Sequence, residues 1–173
     1  MIKVAFIFNF KKNSWLGGYN LIRDLIVGLK KYHFKEIKPV IIVDNHFKKN
    51  DLKDFKNIEI IKNDLFTNKN FLIRNFFKFI LLFFDKNFLY EKFLIHNKIN
   101  FVSHINIYSR SFIIGKKSYS KSISLIPDFQ HFYYKENFSL RQIFFRNLNI
   151  YLAIFFSNCL LLISKNAQND LIS

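Results

Sequence analysis

Lys3-Val4-Ala5-Phe6-Ile7-Phe8 is a short apolar run, rich in β-branched and aromatic side chains, that breaks at the polar stretch Asn9 to Ser14. A run of this length and composition reads as a buried strand. From Tyr19 to Lys31 the period changes: Leu21, Ile22, Leu25, Ile26 and Leu29 recur at three- and four-residue steps, with Arg23, Asp24, Lys30 and Lys31 on the other side. That is the pattern of an amphipathic helix laid on a sheet. Pro39 to Asp44 (PVIIVD) is a second buried strand. Strand, helix and strand in this order imply a parallel pair joined by a right-handed crossover.

The same alternation continues outward. Lys48 to Phe55 reads as a short helix and Ile58 to Ile61 as a third strand; Asn70 to Asp85 and Asn87 to Asn97 read as two helices loaded with Phe and Leu. Asn100 to His104 (NFVSH), Ser122 to Ile126 (SISLI) and Cys159 to Ser164 (CLLLIS) are further strands, the last two separated by a long helix from about Ser139 to Ser157. Ser139 followed by Gln142 suits a capping box at the start of that helix. The expected fold is therefore α/β: a Rossmann-like, doubly wound, mostly parallel sheet with helices on both faces.

The chain's 173 residues suit one hydrophobic core. We find no internal repeat and no Gly/Ser- or Pro-rich linker, so residues 1–164 are expected to form one domain and 165–173 to open a new helix or linker. Half of the residues are hydrophobic, 24 of them Phe, which excludes a disordered chain.

Lys and Arg number 27 against 12 Asp and Glu, a net charge of +15 that favours anionic partners. Lys outnumbers Arg 22 to 5, and Phe, Ile and Asn are abundant, a bias that AT-rich coding also produces. Cys159 stands alone, so neither an intrachain disulfide nor a thiolate metal site is expected. The first apolar run is too short for a signal-peptide core, and Phe76 to Phe84 and Leu148 to Ile163 fall short of the ~20 residues of a membrane span. A cytoplasmic location is expected, with peripheral contact to the inner membrane surface open because Phe and Leu interleave with basic residues.

In an open parallel sheet, ligands bind beyond the carboxyl ends of the strands. The loop after the first strand, Asn9 to Gly18, carries Lys11, Lys12 and Trp15 and closes on Gly17-Gly18 at a helix start. It reads either as an anion site, where free amides meet a diphosphate, or as a plain turn that admits the helix. It lacks both the dinucleotide and the Walker patterns. In the second loop, Ile126 to Phe138, Pro127 ends the strand, and Asp128, Gln130 and His131 then place a carboxylate, an amide and an imidazole among Phe129, Phe132, Tyr133 and Tyr134. Such a loop suits a sugar, yet an isolated His among aromatics also suits a packed side chain. His33, His46, His96 and His104 form no ligand pair, so no metal is expected, and no nucleophilic hydrolase motif occurs.

Three stretches together resemble the N-terminal domain of GT-B glycosyltransferases of the bacterial family 4 type. Ser14-Trp15-Leu16-Gly17-Gly18-Tyr19-Asn20 with the following Leu21 to Leu25 resembles the family's Gly-Gly loop and first helix. Ile126-Pro127-Asp128-Phe129-Gln130-His131, followed by aromatic residues and a long helix, is similar to a segment of one branch. Leu162-Ile163-Ser164 with Ala167 and Asp170-Leu171 is similar to the Ser-x-x-Ala-x-x-Asp-Leu piece that leads out of the domain.

The resemblance implies one half of a two-domain cleft, without cofactor or required metal, that transfers a sugar from a nucleotide-sugar donor to a glycan or lipid-linked acceptor. It implies that Gly17 and Gly18 approach the donor diphosphate, with Trp15, Asn20 and Gln130 among the substrate contacts, and that Asp128 and His131 line the sugar side as the catalytic candidates. The pair of Glu residues seven apart that helps hold the donor in the family has no counterpart here, so the chain is expected to be inactive alone, its donor half missing. The alternative is a non-catalytic basic domain on an anionic membrane surface or nucleic acid. No RNA-binding or helix-turn-helix pattern supports the nucleic-acid version, and no nucleic-acid partner is expected.

Overall fold

The computed structural model describes residues 1–8, 16–32, 35–67, 71–108 and 113–172. The chain runs β1 (Ile2–Phe8), α1 (Leu16–Tyr32), β2 (Ile37–Val43), a 3₁₀ segment (Lys49–Phe55), β3 (Glu59–Lys62), a 3₁₀ turn (Asp64–Thr67), α2 (Phe71–Phe84) and α3 (Phe88–His96). It continues through β4 (Phe101–Asn106), β5 (Lys121–Ile126), α4 (Gln130–Tyr133), a 3₁₀ turn (Lys135–Asn137), α5 (Leu140–Phe156), β6 (Cys159–Leu162) and α6 (Lys165–Ile172). The six strands form one parallel sheet in the order β3-β2-β1-β4-β5-β6, a Rossmann-like α/β fold.

Alternation along the strands divides the core between two faces. Phe6 and Phe8 of β1, with Ile41 and Val43 of β2, pack beneath Tyr19, Ile22 and Ile26 of α1. Ala5, Ile7, Ile42 and Val102 point the other way, into a cluster with Tyr90 and Leu94 of α3. A third cluster joins Ile126 of β5 to Leu81 of α2, Ile150 and Ala153 of α5 and Ala167 of α6. Every residue of β2 from Pro39 to Val43 is buried, because a central parallel strand is covered on both sides.

Local signals explain the element ends. The Ser139 hydroxyl accepts from the Gln142 amide at 3.3 Å, and the Gln142 side chain accepts from the Ser139 amide at 2.8 Å, so the capping box at the start of α5 forms as expected. Asn87 caps α3 by accepting from the Tyr90 amide.

Two details depart from the sequence expectations, and one short helix takes a tighter form. Gly17 and Gly18 lie inside the first turn of α1, which begins at Leu16, and not in the loop before it. The short helix expected over Lys48 to Phe55 is present as a 3₁₀ helix, Lys49–Phe55. The fourth strand continues past His104 to Asn106, through a register shift between Val102 and Ile105 that places His104 at φ 56. A non-glycine residue at positive φ is uncommon, and a bulge is where a strand accommodates one.

The β1–β4 pairing stops at the bulge. The β1–β2 ladder runs to the pair Phe8↔Val43, whereas the β1–β4 ladder ends at Phe6↔Ser103. The strand order reverses between β1 and β4, which makes their carboxyl ends the topological switch point.

Candidate functional site

The carboxyl ends of β5 and β6 feed the loops that shape a cleft of about 600 Å³. One wall is the turn after β5, with Asp128, Gln130, Tyr133 and Tyr134; the other is the start of α6, with Ser164, Asn166, Asn169 and Asp170. The Tyr133 hydroxyl donates to Asp170 Oδ1 and joins the two walls. That contact raises the Tyr133 pKa, because the phenol proton is held by a carboxylate.

The turn after β5 is short and rigid for reasons visible in its bonds. Asp128 Oδ1 accepts from the Gln130 amide at 3.2 Å, an Asx turn that starts α4. The same oxygen accepts from Arg146 Nη1 at 3.3 Å. The Arg146 guanidinium lies 4.3 Å from the Tyr108 ring centre and 4.5 Å from that of Phe138, a cation held between two aromatic faces. Tyr108 in turn donates its hydroxyl to the Asp128 carbonyl at 2.6 Å. Burial pushes the Tyr108 pKa upward, so the phenol stays a donor.

His131 sits under this turn and is 0% exposed. Its Nε2 is 2.9 Å from Asn147 Oδ1 of α5, an arrangement that needs the proton on Nε2. Phe132, Tyr108 and Phe138 surround the ring at centre distances of 4.3, 6.0 and 6.3 Å. Nδ1 is buried with no hydrogen-bond partner among the described residues. Burial lowers the His131 pKa, and the Asn147 contact offsets that only in part, so the ring is held neutral. His131 is therefore not part of the cleft lining; it braces the turn that carries Asp128 and Gln130.

The remaining candidates are spread along the same sheet edge. Gly17 and Gly18 open α1 beyond the carboxyl end of β1, and half-buried Asn20 follows them. A Cβ added at Gly17 would meet nothing within 4 Å, so packing does not require glycine there. None of the three lines the cleft at β5 and β6. Trp15 lies outside the described residues.

Sequence reasoning passed over Arg146, Asn147 and Tyr108, which reach the turn only through the packing of α5 and the end of β4. No local signal marks them. Tyr133 and Asp170 stood within the quoted motifs, but their pairing across the cleft is a tertiary fact.

The lining has a consistent chemistry. Asp128 and Asp170 are its carboxylates, Gln130, Asn166 and Asn169 supply amides, Tyr133 and Tyr134 supply aromatic faces, and none of its described lining residues is Lys or Arg. The nearby Arg146 is paired with Asp128, so its charge is offset at the cleft wall, and a lining of carboxylates, amides and rings suits a hydroxyl-rich ligand better than a multiply charged anion. Among the described residues no group of three or more His, Cys, Asp or Glu is arranged to hold a metal ion. No protein-family model, curated protein or solved structure matches the chain.

Proposed function

We propose that this domain is the acceptor side of a GT-B-type glycosyltransferase and that the cleft at β5 and β6 receives a glycan or lipid-linked acceptor. The observation that carries the reading is the lining itself. Carboxylates and amides accept from and donate to sugar hydroxyls, and the Tyr133 and Tyr134 rings offer apolar faces to the C–H side of a pyranose. In this reading Asp128, oriented by Arg146 and the Gln130 amide, takes the proton of the attacking acceptor hydroxyl. His131 and Asn147 hold its turn in place.

The donor nucleotide sugar is held by a second α/β domain facing this one. Its diphosphate lies near the α1 start, where the first-turn amides, those of Gly17 and Gly18 among them, have no partner within the helix. The acceptor oxygen forms the new bond to the sugar carbon as the bond to the diphosphate oxygen breaks, and the nucleotide leaves with that electron pair. Efficient transfer needs both walls, because both reactants must be fixed in a water-excluded cleft.

The test is a nuclear magnetic resonance titration of the chain with a panel of neutral oligosaccharides and a nucleotide diphosphate. An acceptor glycan is expected to shift the resonances of Gln130, Tyr133, Asn166 and Asp170. Absence of any such shift with every glycan up to about 10 mM, a concentration that would reveal even weak binding, rejects the acceptor reading.

A further inference from the structure

We propose that residues 133–137 form a strap over the cleft at β5 and β6, latched shut by the Tyr133–Asp170 hydrogen bond and opening to admit the ligand. The first observation is how the segment is anchored. His131, buried and bonded to Asn147, fixes one end, with Phe132 stacked on its ring and on that of Phe129. The capping box of Ser139 and Gln142 fixes the other end. Residues 133–137 are all exposed. Their backbone bonds are local turns: the Tyr134 amide donates to the Gln130 carbonyl at 2.8 Å, the Asn137 amide to the Tyr134 carbonyl at 3.1 Å, and the Phe138 amide back to the Lys135 carbonyl at 3.1 Å. Among the described residues, the one hydrogen bond from this segment to a distant element is that of the Tyr133 hydroxyl to Asp170 Oδ1. A segment with few buried contacts and a single distant tie is where local opening costs least.

The second observation is where the latch lies. Phe129 and Ala167 line the cleft and are 3% and 5% exposed, so they form its floor. Tyr133 is 65% exposed, and its bond to Asp170 lies on the solvent side of that floor. Tyr133 and Tyr134 of the strap stand on one wall, and Asn166, Asn169 and Asp170 of α6 stand on the other. The latch therefore spans the gap that a ligand must pass.

The chemistry of the bond makes the latch reversible. A phenol that donates to a carboxylate forms a charge-assisted bond, but in contact with water its net worth is small. A hydroxyl of the entering ligand can donate to Asp170 in place of Tyr133, and the freed phenol can donate to the same ligand, so the cost of opening is recovered on binding. A ligand without a donor group offers Asp170 no replacement for the phenol. The latch thus selects hydroxyl-bearing ligands, and the rate of entry follows the fraction of molecules whose strap is open. Only this entry step rests on the reading of the cleft as a glycan site; the strap and its latch stand on the contacts alone.

The test is amide hydrogen exchange of the chain alone, read by nuclear magnetic resonance, in the unsubstituted protein and in Tyr133→Phe and Asp170→Ala. Swinging the strap turns the backbone at both of its ends, which breaks the bonds of the Tyr134 and Phe138 amides. Each substitution is expected to speed exchange at those two amides by about fivefold, the worth of one exposed hydrogen bond. The Ile143 amide of α5 and the Gln168 amide of α6, bonded to the Ser139 and Ser164 carbonyls, should keep their rates. Tyr151→Phe, which removes an exposed hydroxyl of α5 outside the cleft lining, should leave Tyr134 and Phe138 unchanged. No acceleration at Tyr134 and Phe138, or an equal rise at Ile143 and Gln168, would overturn the strap. Entry is read separately, from the association rate of a neutral oligosaccharide by line-shape titration. Tyr133→Phe keeps the ring and should raise that rate about fivefold; a rate unchanged or lowered would make Tyr133 a plain contact and overturn the gating. If no oligosaccharide binds the protein or its variants, the acceptor reading fails, and hydrogen exchange still decides the strap.

Discussion

In β2 the buried run is Pro39, Val40, Ile41, Ile42 and Val43, whereas in β5 the buried positions are Ser122, Ser124, Leu125 and Ile126. The two halves of one sheet thus solve the same problem with different chemistry. The β1–β3 half is held by apolar burial, which is strong but non-directional. The β4–β6 half adds hydroxyl ties to its apolar clusters. Ser124 Oγ meets Ser157 Oγ at the end of α5 at 2.6 Å, Ser120 Oγ donates to the Ile99 carbonyl at 2.6 Å, and Ser122 exchanges bonds with Asn158. Directional bonds fix where α5 stands on the sheet, and α5 carries Arg146 and Asn147 to the turn that forms the cleft. Both halves gain stability from apolar burial, and the hydroxyl contacts of the β4–β6 half add position.

The comparison is broken most severely at its apolar end. Ile41→Ala, which empties a fully buried site beneath α1, is expected to destabilise the domain by about 4 kcal/mol in urea or guanidinium unfolding. A loss under about 1 kcal/mol would mean that burial at Ile41 contributes little to this half.

Next is Gly115, at φ +90 in the loop before β5. Gly115→Ala combines an unfavourable φ with a backbone collision at Asp85 and should cost about 2 to 3 kcal/mol in the same assay. The hydroxyl ties rank below it. Ser124→Ala leaves the Ser157 hydroxyl buried without its partner and should cost about 1 to 2 kcal/mol, while adding Ser157→Ala should recover part of the loss. Strict additivity of the two substitutions would show that the pair is not coupled.

The smallest expected effect is a pH dependence. His131 has its pKa lowered from 6.5 by burial, so near neutral pH it is unprotonated in both states. As pH falls below 6.5 the unfolded chain takes up a proton that the folded chain resists, and stability declines until the folded pKa is passed. His104, also lowered by burial, acts in the same sense. His131→Gln should therefore flatten, without abolishing, the fall in melting temperature between about pH 7 and about pH 5. An unchanged acid limb would show that His131 titrates alike folded and unfolded.

Legibility followed the same division. Lys3 to Phe8 and Pro39 to Asp44 announced themselves because a strand buried on both faces must be apolar throughout, and the capping box at Ser139 is a local bond between residues three apart. The bulge at His104 was hidden, since nothing in NFVSH shows that the strand must continue while its ladder to β1 ends. At the site, Asp128 and Gln130 were singled out and do line the cleft. The place of His131 beneath it depended on Asn147, sixteen residues along the chain and one of many polar side chains on an amphipathic helix.

The sequence by itself determined a parallel α/β sheet, because hydrophobic periodicity and helix caps are local properties carried by neighbouring residues. Only the tertiary structure decided that Ile126 to His131 splits its labour, with Asp128 and Gln130 at the cleft and His131 buried behind them, and that Tyr133 reaches Asp170 across that cleft. Those facts depend on which distant elements meet. That is set by packing across the whole sheet and has no signature within any single stretch of chain.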